Sequence, residues 1–96
     1  MNIQWSPVAR LDYIQNITYL EEHWSEREII VFNQSIEHHL NLLSSGTISF
    51  TKTNYKDVFK VVLIKQITLF YVVDENDITL LRFWNNYQDL SKFRLK

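Results

Sequence analysis

Apolar residues between Ser6 and about His23 recur at three- and four-residue spacing: Tyr13, Ile17, Leu20 and Trp24, with Ile14 beside them. That period puts them on one face of a helix. Ser6 is a favoured N-cap, and Pro7 at the first helical position gives up no hydrogen bond that the helix would have made. A second helix starts at Ser25-Glu26-Arg27-Glu28. This is a capping box: the Ser25 hydroxyl can accept from the Glu28 amide, and the Glu28 carboxylate can reach back. Trp24 and Ile29 stand where a hydrophobic staple would. The seam is Ile29, Phe32, Ile36, Leu40 and Leu43, and Gly46 ends the helical region. Burying each seam residue is worth roughly 1.5–3 kcal/mol gross, before conformational entropy is subtracted. The expected helices, 7–23 and 25–44, are joined by almost nothing, so they form an antiparallel hairpin.

After residue 56 the pattern changes. Three runs rich in β-branched and aromatic residues follow: Phe59–Lys65, Ile67–Val73 and Ile78–Trp84. Such side chains suit a pleated, half-buried surface. Val61-Val62-Leu63-Ile64 and Leu69-Phe70-Tyr71-Val72-Val73 are nearly apolar throughout, as in strands covered on both sides. Lys65-Gln66 and Asp74-Glu75-Asn76-Asp77 are links too short for a parallel crossover, so the runs form an antiparallel meander over 57–65, 67–73 and 78–84. Asn2–Trp5 reads as a short strand that joins the same sheet. Ile48–Tyr55 is irregular and Thr-rich, with room for a short edge strand. The fold class is therefore α+β: an N-terminal strand, and a helical hairpin packed on one face of an antiparallel sheet.

Composition narrows the function. The 96 residues, 46% hydrophobic and 15% aromatic, suffice for one domain spanning 1–96 with its own core. There is no cysteine, which excludes disulfides and thiolate metal sites. Ten Lys and Arg against eleven Asp and Glu give a net charge of −1, which argues against a strong nonspecific grip on nucleic acid. A single Gly leaves no room for a glycine-rich phosphate loop. No signal peptide and no run of 18 apolar residues is present, so the expectation is a cytoplasmic protein with no membrane partner.

Several stretches together resemble the RelE/ParE superfamily, the toxins of type II toxin–antitoxin systems. They are Trp5-Ser6-Pro7-Val8-Ala9 with Asp12-Tyr13-Ile14, Tyr19-Leu20 with Trp24-Ser25, Lys65 to Tyr71, and Ile78 to Asp89. The order of elements agrees over nearly the whole chain. The resemblance implies a growth-inhibitory protein, associated with plasmid stabilisation, that a cognate antitoxin neutralises. ParE-like members inhibit DNA gyrase; RelE-like members cut mRNA on the ribosome. The fold alone cannot choose between these targets.

RNA cleavage through the 2′-hydroxyl needs a proton acceptor, cations for the developing phosphorane charge and a proton for the leaving oxygen. RelE-like nucleases are expected to draw these from Lys and Arg on the sheet and after the last strand. The matching positions here are Thr68 and Tyr87, which removes two cations. Lys60, Arg82 and Tyr87 remain as catalytic candidates. The reading that follows is a toxin that is ParE-like, acting on gyrase, or of unassigned target. The alternatives are a RelE-like ribosome-dependent mRNA endonuclease and an inactive module that only binds an antitoxin. No cofactor or metal is expected. His38 and His39 are adjacent and so point about 100° apart on a helix, with no further ligand at useful spacing. His23 fills the ordinary place of a cation at a helix end.

The expected partners are an antitoxin, then gyrase or the ribosome and its mRNA; a homodimer is a further possibility. Arg82, Trp84, Tyr87 and Lys92 are the expected partner-binding residues, on the helix-free face of the sheet and its rim. Trp84 shares strand parity with Ile78, Leu80 and Arg82, which also suits core packing. Lys92, Arg94 and Lys96 form a small basic tail. Reversing the charge at Arg82 is expected to weaken antitoxin binding and leave the fold intact.

Overall fold

In a computed structural model the chain folds as β1 (Asn2–Trp5), α1 (Pro7–His23), α2 (Glu26–Ser44), β2 (Thr51–Lys52), β3 (Val58–Ile64), β4 (Ile67–Asp74) and β5 (Asp77–Asn85). The structure describes residues 1–46, 49–88 and 93. Ile48, Asp89, Lys92, Arg94 and Lys96 lie outside them. The five strands form one sheet in the order β1-β5-β4-β3-β2. β3, β4 and β5 are the expected antiparallel meander. β1 pairs parallel with β5, so the sheet is mixed rather than wholly antiparallel. The helical hairpin lies between these two strands in the chain and supplies the long crossover that a parallel pair requires.

The helices pack on one face of the sheet. Phe32, Ile36 and Leu43 of α2 are buried with Leu20 of α1 against Leu69, Tyr71, Ile78, Leu80 and Phe83, and Ile29 and Leu40 pack on this cluster. The α2 seam is therefore as the spacing predicts. At its start the Glu28 carboxylate accepts from the Ser25 amide at 3.2 Å and also from the Ser25 hydroxyl. The Glu28 amide goes to the Ser25 carbonyl at 3.1 Å. Gly46 takes φ +76, the left-handed turn that ends the helical region.

α1 is rotated only part-way from the expected face: Leu20 is in the core and Tyr13, Ile17 and Trp24 pack against it, but they flank the centre of the buried face. Its buried residues are Ala9, Asp12, Asn16 and Leu20, while Ile14 is 61% exposed. Positions 9, 12, 16 and 20 fall on one line of a 3.6-residue helix, and position 14 stands well off it. Two polar side chains thus occupy the centre of the buried face.

Two irregularities in the meander decide which side chains share a face. Between β4 and β5 the register passes from Tyr71↔Leu80 to Phe70↔Arg82, leaving Leu81 as an extra residue. Leu80 and Phe83 consequently both enter the core. Arg82 and Trp84 then point to the face opposite Ile78 and Leu80, which overturns the parity read from the sequence. A second shift falls between Val62 and Ile64. Val62 stands 58% exposed, so this strand is not covered on both faces as its composition suggests.

Phe32→Ala should cost roughly 2–5 kcal/mol in denaturant unfolding, because it leaves a cavity at the hairpin's contact with the sheet. Ile14→Ala should stay within about 0.5 kcal/mol, as for other exposed positions. A larger loss at Ile14 than at Phe32 would refute the rotation of α1.

The Ser25 hydroxyl, above all, holds the Glu28 carboxyl below its ordinary pKa. A depressed folded-state pKa contributes stability above the unfolded value, near pH ~4.3, and that contribution fades as pH falls through the folded value. Glu28→Gln should remove this part of the acid limb of a stability–pH curve while leaving the neutral-pH slope unchanged.

Candidate functional site

β1 accompanies β5 only as far as the pair Trp5↔Leu80. Beyond that point the edge of β5 is met by polar groups from the start of α1. The Ser6 amide donates to the Leu80 carbonyl at 3.0 Å, and the Ser6 hydroxyl donates to the Leu81 carbonyl at 3.1 Å. The Phe83 amide donates to Asp12 Oδ2 at 3.1 Å, and Asn16 Nδ2 donates to the Phe83 carbonyl at 2.8 Å. Backbone groups that would otherwise be buried unpaired are satisfied by side chains. Asp12 also accepts from Arg82, Nε to Oδ2 at 2.6 Å and Nη2 to Oδ1 at 3.1 Å. This is a two-pronged, largely buried ion pair. Arg82 is thus a structural cation, and placing a second carboxylate there would set it against Asp12. The expectation that Arg82→Glu spares the fold is corrected accordingly.

The helix-free face is organised by cross-strand rows. One row is Lys60, Phe70 and Arg82; the next is Val62, Thr68 and Trp84. Trp84 is 4% exposed and meets the Phe93 ring edge-on at 4.9 Å. Phe93 also lies 4.8 Å from Phe70 and 6.0 Å from Tyr55. The Arg82 guanidinium sits 5.5 Å from the Trp84 ring centroid. Trp84 Nε1 is buried and has no hydrogen-bond partner among the described residues. A recess of about 380 Å³ beside this cluster is lined by Lys52, Tyr55, Lys60, Phe70 and Phe93, among others. Its lysines can hold an anion and its rings can stack on a flat group. No carboxylate or imidazole is among the described residues that line it.

Thr68 carries no charge to this face. Its hydroxyl donates to Asn86 Oδ1 at 2.9 Å, and Asn86 Nδ2 donates to the Lys65 carbonyl at 3.0 Å. The pair ties the end of β5 to the β3–β4 turn. Tyr87 lies elsewhere, at the tip of the helical hairpin. Its ring runs nearly parallel to Trp24 with centroids 6.4 Å apart, and Lys65 Nζ is 4.7 Å from the Trp24 ring. Of the sequence candidates, Lys60, Arg82 and Trp84 thus share the helix-free face, where Arg82 carries its guanidinium to Asp12 of α1; Tyr87 stands apart at the hairpin tip, and Lys92 lies outside the described residues. His39 Nδ1 contacts the Ser35 carbonyl at 2.7 Å, and the described residues hold no group of side chains suited to a metal ion.

Sequence reasoning missed Asp12 and Asn16. Their signal was present: polar residues four apart, in line with Ala9 and Leu20 on a helix, and an arginine inside an otherwise apolar strand run.

Two helices on one face of a five-stranded, mostly antiparallel sheet make a RelE/ParE-like fold. Among solved structures, the chain is similar to one described as the chromosomal ParDE toxin–antitoxin system of Pseudomonas aeruginosa, at 15% identity, 88% of this chain, 95% of that one and a TM-score of 0.71. It is similar to the YoeB dimer of Staphylococcus aureus at 21% identity, 91% and 98% coverage and a TM-score of 0.61. A mutant toxin from Helicobacter pylori matches at 12% identity, 90% and 94% coverage and a TM-score of 0.66. No family model and no curated protein matches the chain.

Asp12→Ala should cost roughly 3–5 kcal/mol, since it removes the carboxylate that both pairs with the Arg82 guanidinium and accepts from the Phe83 amide. Arg82→Ala should cost less, because Asp12 keeps that amide. Equal losses in urea unfolding would show that the amide contact contributes nothing.

Proposed function

We propose that this chain is the toxin of a type II toxin–antitoxin pair, growth-inhibitory when free and neutralised by an antitoxin. The observation that carries this reading is the RelE/ParE-like fold matched over the length of the chain. The similar structures include a ParDE system and YoeB bound to its antitoxin YefM, both toxin–antitoxin assemblies. Gyrase is the target we favour, for a chemical reason. Nuclease action on the helix-free face would call for several cations and a proton acceptor. Here Arg82 is committed to Asp12, Thr68 is neutral and Trp84 is buried. One observation supports the nuclease alternative: Lys52 and Lys60 flank Phe70 and Tyr55 in one recess.

The test is to induce the chain alone and follow DNA and protein synthesis separately. A gyrase poison should stop DNA synthesis first and cause gyrase-dependent DNA breaks. Prompt loss of protein synthesis with cut mRNA would favour the nuclease. Normal growth at confirmed expression of folded protein would overturn the toxin reading.

A further inference from the structure

We propose that the cleft between the start of α2 and the β3–β4 turn binds a small planar anion, a flat ring with a hydrogen-bonding edge and one phosphate or carboxylate. The inference goes beyond the toxin reading and does not depend on it. The observation that carries it is Gln66. This residue is 2% exposed and lines a cleft of about 420 Å³. No described residue hydrogen-bonds its carboxamide. Its main chain is satisfied separately, since the Gln66 carbonyl accepts from the Asn86 amide at 2.7 Å. A carboxamide drawn out of bulk water with no protein partner is costly. It offers a donor and an acceptor side by side, which is what the edge of a heteroaromatic ring pairs with.

The rest of the lining suits such a ligand. Trp24 forms one wall, and Lys65 Nζ stands 4.7 Å from its ring centroid. That ammonium is the tip of a flexible, exposed stem. It can swing off the indole to meet an anion while a flat ring takes its place. Val31 and Ile64 add apolar surface. Arg27 is the second cation of the lining, and neither it nor Lys65 makes an ion pair among the described residues.

Glu28 also lines the cleft. Its carboxylate is turned to the Ser25 amide and hydroxyl, where it closes the cap of α2. Its charge weakens the hold on an anion, but the two cations outweigh it and fix the anion on their side. The volume is that of a small-molecule site.

The intact protein is titrated separately with adenosine 5′-monophosphate and with indole-3-acetate, two sources of this chemistry, while the Trp24 indole N–H is followed by NMR. At least one probe should shift that signal saturably, with a Kd of about 1 mM or tighter. Inorganic phosphate and adenosine, each with part of the contacts, should bind about tenfold more weakly than the nucleotide if the nucleotide is the one that binds. Lys65→Met and Arg27→Met, both at exposed positions, should each weaken binding about tenfold, and so should Gln66→Leu. Glu28→Gln keeps a capping box and removes the like charge, so binding should tighten about threefold. Three results would each overturn the proposal: no saturable shift with either probe, inorganic phosphate binding as well as the better probe, or parental affinity in folded Lys65→Met and Gln66→Leu. Growth arrest on expression tests the toxin reading separately and is untouched by any of them.

Discussion

The Asp12 carboxylate is the contact on which the rest of the structure depends. It joins the first helix to the last strand, where strand pairing has run out. β1 is four residues long and stops at Leu80, yet β5 continues to Asn85. The exposed flank of β5 beyond Leu80 lies under α1, away from water. Buried amides and carbonyls left unpaired there would each cost about 1–3 kcal/mol. Ser6, Asp12 and Asn16 satisfy them from one helix face, at positions a 3.6-residue period brings into line. The helix start thus does the work of a missing strand segment. The guanidinium of Arg82 then neutralises the acid that this arrangement buries.

The extra residue Leu81 follows from the same contact. A strand that kept strict alternation would send Arg82 to the side of Leu80 and leave Phe83 outside. The bulge lets Leu80 and Phe83 both reach the core, where Phe83 meets Trp5 at 5.0 Å and Tyr13 at 6.3 Å. It also delivers Trp84 to the helix-free face, under Phe93. There the indole nitrogen finds no acceptor among the described residues. The buried ring offsets that cost, since an aromatic side chain of this size dominates local burial energetics.

Much of this was legible in the chain. The second helix, the meander and its short links follow from spacing and turn chemistry that nothing elsewhere contradicts. The first helix was placed correctly along the chain, and Tyr13, Ile17, Leu20 and Trp24 reach the core as expected, but Ile14 does not and the centre of the buried face was missed. Periodicity counts apolar residues, and Asp12 and Asn16 are buried for hydrogen bonds, which it does not see. The faces of β5 were misassigned because parity assumes a strand without insertions. An arginine at a position that parity would bury was the local sign of a break. The candidate site was less legible still: residues contiguous in sequence, Arg82 to Tyr87, are sent to three different surroundings by one bulge and one turn.

The distribution of charge has a logic that net charge conceals. A value of −1 reads as electrostatic indifference. In the fold, acids gather on the helical hairpin and lysines on the β2–β3 edge. An edge strand invites pairing with any other strand, including its own copy. Lysines on that edge raise the cost of pairing with a like-charged copy. Mobile salt screens the charges and leaves the backbone groups of the edge untouched.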